Sequence, residues 1–215
     1  MAQAVLTKNL IADCFKELAM KNPVYKISVK DIIAASKINK NTFYYHFLDK
    51  EDLVVWIFRS ELGTRLKKVF PEEKLICKTG LMQEKYNSKP FYLDMRSPQD
   101  NLELGMFWHV FGGYLFENDK YYANVLNIGG QNNLVRYIYA IYSRQIEKDI
   151  IYFLGRRRMP IEAIRFLADY FTNSCCGWLL NSTGNNTPNH VRCNDERFRN
   201  MSHEFMQMMV EKYAN

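Results

Sequence analysis

The sequence predicts an all-α fold of about nine helices. Apolar residues recur at spacings of three and four along most of the 215 residues. Cap residues and Pro or Gly bracket these runs, and strand-like alternation is absent. The chain also lacks any internal repeat or low-complexity tract.

The first helix carries Leu10, Cys14 and Leu18 beside Ile11, Phe15 and Ala19, behind a Thr7 cap, and Pro23 ends it. Ser28 caps the second, in which Val29, Ile32, Ile33 and Ser36 share a face and Asp31 complements the positive end of the dipole. After a break at Lys37 to Asn39, a third helix sets Phe43 and Phe47 on one side. Asp49 caps a fourth, with Glu51 and Asp52 in its first turn and Leu53, Trp56, Ile57 and Ser60 inward. Residues 71–98, punctuated by Pro71, Gly80, Pro90 and Pro98, read as short helical pieces and a loop. Ser97-Pro98 opens a helix bearing Leu102, Met106, Phe107, Val110, Phe111 and Tyr114. Asn118 or Asp119 starts a short one that Gly129-Gly130 stops. Leu134 to Leu154 and Pro160 to about Leu180 are long helices, and Asn194-Asp195-Glu196 caps the last, whose seam is Phe198, Met201, Phe205, Met208 and Met209.

Apolar residues make up 47% and charged residues 24%, which supports a substantial core and argues against disorder. No apolar stretch is long enough to span a membrane, and the amphipathic start lacks the apolar core of a secretory signal, so the expected compartment is the cytoplasm. The five cysteines, at 14, 77, 175, 176 and 193, contain no CxxC pair and suit a reducing compartment. A net charge of +6 favours an anionic partner, nucleic acid first. No Gly-rich phosphate loop, GxSxG or HExxH occurs, so no enzyme, cofactor or catalytic residue is expected. "HVRC" at 190–193, Cys175-Cys176 and His203 lack tight metal-ligand spacing, and no metal site is assigned.

The stretch "SVKDIIAASKINKNTFYYHFLDKEDL" holds two short helices around a tight turn, a helix-turn-helix candidate. Ile32, Ile33, Ile38, Phe43 and Phe47 can fix the angle between them. That footing leaves Lys40, Asn41, Thr42, Tyr44, Tyr45 and His46 facing outward. Asn suits adenine, Lys guanine, and Thr or an aromatic ring the thymine methyl. Tyrosine hydroxyls and His suit phosphates, and Lys50 offers one more phosphate partner beside a helix N-terminus.

The run "ISVKDIIAASKINKNTFYYHFLDKEDLVVWIF" closely resembles the DNA-binding domain of the TetR family of transcriptional regulators, through Ile38, Thr42-Phe43-Tyr44, Phe47, Asp49-Lys50 and Leu53. The resemblance covers about residues 7–60 and departs from the family at Lys37, where a turn glycine is usual. It implies base contacts from Lys30, Lys40, Asn41, Thr42 and Tyr45, and backbone contacts from Ser28, Tyr44, His46 and Lys50. It implies a helix-turn-helix DNA-binding domain over residues 1–50 and a helical regulatory and dimerisation domain over 51–215. The expected partners are double-stranded operator DNA and a second copy, paired through helices at about 160–181 and 194–213, with an unidentified small-molecule effector. The C-terminal pattern resembles the branch that includes dihydroxyacetone-kinase-operon regulators.

The expected function is a ligand-responsive repressor that binds a pseudo-palindromic operator as a homodimer. The alternative is a helical regulator whose C-terminal domain docks a protein. Phe107, Trp108, Phe111, Tyr114, Tyr137 and Tyr170 offer apolar area with hydroxyls, the usual lining of a small-molecule pocket, although each equally suits plain core.

Overall fold

The computed structural model describes residues 2–81, 86, 88–94, 101–126, 133–181, 183, 204–205 and 208–214. It is helical nearly throughout: α1 (Ala2–Lys21), α2 (Val29–Ser36), α3 (Lys40–His46), α4 (Lys50–Val69), α5 (Asn101–Glu117), α6 (Asp119–Leu126), α7 (Asn133–Leu154) and α8 (Ile161–Asn181). Helical residues return at 208–213. The expected Ser97-Pro98 start, the Gly129-Gly130 stop and most of the final helix over 194–213 lie outside the described residues.

Each of the short N-terminal helices starts on a side-chain oxygen. Ser28 and Asp31 form a reciprocal capping box, Asn39 accepts from Thr42 N, and Asp49 accepts from Asp52 N. Such a cap stabilises its helix by about 1 kcal/mol. Thr7 is not a cap. α1 begins five residues earlier, at Ala2, and the Thr7 hydroxyl donates to the Gln3 carbonyl inside the helix. The buried stripe of α1 is Ile11, Phe15 and Ala19, while Leu10 points out and Cys14 and Leu18 lie half-buried beside the stripe.

The segment after α4 forms a strap. Among the described residues it holds a two-residue antiparallel pair, β1 (Leu75–Ile76) with β2 (Tyr92–Leu93). Pro90 lies flush on α4 at Gly63, where an added Cβ would stand 3.0 Å from the proline Cδ and carbonyl oxygen. Arg59, on the inner face of α4, is 1% exposed. Its guanidinium donates to the Cys77 carbonyl at 2.9 Å, to those of Tyr86 and Lys89, and to the Tyr137 hydroxyl. It also lies over the Phe91 ring, 4.8 Å from the centroid. A buried arginine costs stability unless its donors are filled; the strap's carbonyls serve Nη2 and the Tyr137 hydroxyl serves Nη1, while Nε is buried without a hydrogen-bond partner.

α1, α2 and α3 pack on one another. α4 leads away from them to α5 and α7, and α7 and α8 form an antiparallel pair. α6 folds back onto α1, where Asn124 Nδ2 donates to the Ala19 carbonyl at 2.7 Å. The N-terminal three-helix unit is therefore held from two sides, through the covalent run into α4 and through α6.

Candidate nucleic-acid interface

α3 is only seven residues long, and its sequence KNTFYYH divides cleanly between an inner and an outer face. Phe43 and Phe47 are buried. Their rings sit 5.9 Å apart, and Phe47 meets Trp56 of α4 edge-on at 5.7 Å. Ile32 closes the same core and Ile33 and Ile38 pack at its margin. This footing holds the opposite edge outward: Lys40, Asn41 and Tyr44 are exposed, and Tyr45 is 81% exposed. Ser28 and Lys30 of the α2 start are exposed too.

Local contacts order several of these side chains. Asn39 Oδ1 accepts both the Thr42 amide, at 2.7 Å, and the Thr42 hydroxyl, at 3.0 Å. The Thr42 methyl is thereby left as the group the residue can offer beyond its own helix. Lys40 Nζ lies over the Tyr44 ring, 5.9 Å from its centroid, and Tyr44 packs edge-on against Phe43. Tyr45 and His46 pack edge-on at 4.9 Å. Burial, followed by the Lys8 ammonium, holds the His46 imidazole below its ordinary value. His46 is therefore a neutral donor at pH 7, fit to hydrogen-bond a phosphate oxygen rather than to pair with it as a cation.

Two features change the picture drawn from sequence. The turn residue Lys37 adopts φ 52 and ψ 34, the left-handed conformation that glycine favours. Lys50 does not extend freely: its ammonium donates to the Val24 and Ile27 carbonyls, both at 2.8 Å, and pins the turn before α2 to the start of α4. To meet a phosphate, Lys50 would have to leave those acceptors or share itself with them. Ser28 likewise already serves its own helix, donating to Asp31 Oδ2 at 2.7 Å and holding that carboxyl below its ordinary value.

Sequence reasoning passed over Lys8, whose ammonium lies 5.8 Å from the Phe47 centroid and 6.0 Å from that of Trp56. Its signal was available, since it stands one turn before the buried Ile11 and Ala12. It also passed over Arg59, which is spaced three residues from both Trp56 and Leu62 and so belongs to the inner stripe of α4.

The six aromatic residues expected to line an effector pocket do not share one environment. Phe107, Trp108 and Phe111 are buried with Tyr92 and Tyr142 in a packed aromatic cluster, where Phe111 and Tyr142 stack at 5.5 Å. Tyr114 is buried against Tyr122, and its hydroxyl donates to Glu61 at 3.0 Å. Tyr137 is half-buried and accepts from Arg59. Tyr170 lies on the outer face of α8, stacked on Phe166 and near Phe205, and belongs to a surface rather than a cavity. Among the described residues no group of His, Cys, Asp and Glu is arranged to hold a metal ion, and no helix is long and apolar enough to cross a membrane.

A short helix held outward on an aromatic footing, at the head of a larger helical body, defines a helix-turn-helix DNA-binding regulator. Residues 16–56 match the family model described as bacterial regulatory proteins, tetR family, and residues 111–188 match one described as a transcriptional regulator C-terminal region. The chain belongs to the TetR family of transcriptional regulators. It is 39% identical over 63 residues to the HTH-type dhaKLM operon transcriptional activator DhaS of Lactococcus lactis subsp. lactis (strain IL1403), a match spanning 29% of this chain and only 34% of that relative. A solved structure titled dihydroxyacetone kinase operon activator DhaS superposes with a TM-score of 0.55 over 98% of this chain and 99% of its own, at 19% identity, and so shares the fold.

Proposed function

We propose that the chain binds a pseudo-palindromic duplex as a homodimer, entering the major groove with the outer edge of α3. The observation that carries this reading is the split of α3, with Phe43 buried, Phe47 buried just past its end, and Lys40, Asn41 and Tyr45 outward on the helix. Asn41 and Lys40 suit base edges, and the Thr42 methyl suits thymine. Lys30 and Tyr45 extend that base-reading edge, and Tyr44, His46 and the exposed Ser28 flank it with phosphate donors. One seven-residue helix reads only a few base pairs, so two copies on a two-fold axis are needed for a specific site. The pairing surface is assigned to α8 with the last helix, since Ile161, Phe166 and Tyr170 are exposed on α8.

An effector acts by favouring one spacing of the two α3 edges over another. Only a difference in its affinity for the two arrangements can move that equilibrium. α4 and α6 are the two routes by which the regulatory domain reaches the N-terminal unit. Both named relatives are called activators, which favours activation over steric blocking for this chain. A second reading, a protein docking on the C-terminal domain in place of a small molecule, gains from the tight packing of Phe107, Trp108 and Phe111, which a small molecule could enter only by displacing them.

Selection of bound sequences from random duplex DNA tests the core claim. The parent protein is expected to enrich a two-fold-related motif. Asn41→Ala and Thr42→Ala are each expected to change the preferred base at one symmetric pair of positions, a difference of about 1–3 kcal/mol. Enrichment of no symmetric motif, or an identical motif from both variants, would refute the assignment.

A further inference from the structure

An open cleft of about 580 Å³ lies where α1, α4, the strap and the α5–α6 turn converge, with Trp56 and Tyr114 in its wall. Its two ends differ in charge. At one end, Lys16 is neutralised by Glu61 at 2.7 Å and donates to Asn118 Oδ1 at 2.9 Å, and Arg65 is paired with Glu117. At the other, beside Trp56 and Ser60, is Lys89, which pairs with no carboxylate among the described residues. Lys89 is half-buried. It donates to Ser60 Oγ at 2.7 Å and lies over the Trp56 ring at 5.1 Å. Burial first, then the facing cations Lys8, Lys67 and Arg59, hold its ammonium below the ordinary value. A half-buried ammonium under the field of three like charges is stabilised by any anion that reaches it.

We propose that this cleft binds a small hydroxylated anion, with its phosphate or carboxylate head on Lys89 and its neutral hydroxyls toward Lys16, Glu61 and Asn118. The volume suits a sugar-sized molecule. Charge-assisted hydrogen bonds at one end and neutral polar partners at the other give the ligand a direction. Because the cleft walls come from α1 on one side and from α4 and the α5–α6 turn on the other, an occupant would bridge the N-terminal unit to the regulatory domain. The proposal rests on the effector reading for its consequence at DNA. Binding itself is measured without DNA, so the two can fail separately.

Titration calorimetry of the full chain with glucose 6-phosphate, gluconate and glucose tests it. At least one of the two anions is expected to bind and glucose is not, and whichever anion binds identifies the head group as phosphate or carboxylate. Lys89→Gln is expected to weaken that binding about tenfold or more, the usual loss when a hydrogen bond to a charged group goes. A Lys89→Arg variant, which keeps the charge, is expected to recover part of it, and circular dichroism confirms that each variant is folded. Equal binding of glucose, no binding of either anion, or undiminished binding by Lys89→Gln would overturn the proposal. So would a loss of duplex affinity in Lys89→Gln with no small molecule present, since that cation would then be serving DNA.

Discussion

Two residues sit in conformations or surroundings they do not favour, and both have measurable consequences. Lys37 ends α2 in the left-handed region. A residue with a Cβ pays roughly 1–2 kcal/mol there, and glycine offsets part of that gain by its freedom in the unfolded chain. Lys37→Gly is therefore expected to raise stability in urea by about 0.5–1 kcal/mol, and an unchanged or lower midpoint would argue against strain at the turn. The departure from the family's glycine was legible in the sequence. That the position really is left-handed was not, because Asn39 could equally have closed the turn.

Asp149 is buried on α7 beside Gln145, whose amide donates to it at 3.3 Å. The Tyr92 hydroxyl lies near it without forming a full hydrogen bond. Burial, reinforced by Asp94, pushes the carboxyl up to about 7 against the pull of Tyr92, Gln145 and Lys148. The folded protein thus holds this proton more tightly than the unfolded chain does. The group's stabilising contribution is complete below its ordinary value of 3.8 and is lost as pH rises to about 7. Asp149→Asn should become more stable relative to the parent as pH climbs through that window, by on the order of 4 kcal/mol in all. Urea midpoints taken at several pH values give the result, and a gap that stays constant across pH would disprove the shift. Asp149 stands three residues past Ile146 and seven past Tyr142, so spacing puts it on the buried stripe of α7, but a carboxylate there is not what the apolar pattern leads one to expect.

At the scale of elements, α2, α3 and α4 were readable because each starts on an identifiable cap and carries apolar residues on one side. Asp49 and Ser28 announced α4 and α2 correctly. Thr7 misled because a threonine inside a helix can satisfy its hydroxyl on the preceding turn. The β1–β2 pair escaped notice since two residues per strand leave no alternation to detect. Lys50 could be placed at its helix start, yet nothing local revealed that carbonyls 23 and 26 residues earlier in the chain would engage its ammonium. On α8, Phe166 is 68% exposed and stacks on Tyr170. If this face pairs two copies, Phe166→Glu should raise the dimer dissociation constant by roughly thirtyfold or more, since a charge replaces a buried anchor. Analytical ultracentrifugation would show it, and a variant as dimeric as the parent would move the pairing surface elsewhere.

For the molecule as a whole, the excess of basic residues gives a net charge of +6, and the outer edge of α3 adds exposed hydrogen-bond donors. Two such edges on one duplex would displace many condensed counterions. Affinity for the selected duplex is expected to fall roughly a thousandfold between 50 and 200 mM salt, with most of that slope kept on random DNA. A nearly flat dependence by fluorescence anisotropy would mean that few phosphates are touched. Charge and helix-turn-helix pattern made this much visible in the sequence. The aromatic residues of the regulatory half were visible too, but the direction each ring faces depends on how α5, α7 and α8 pack, and composition does not encode that.

Arg59 adds a constraint on how the protein comes apart. Peeling the strap from α4 alone would strand a guanidinium in an oily interior with its oxygens gone, a species far costlier than ordinary fraying. The connection between the two halves is therefore fastened from within, and it lets go only when the helices around it melt together.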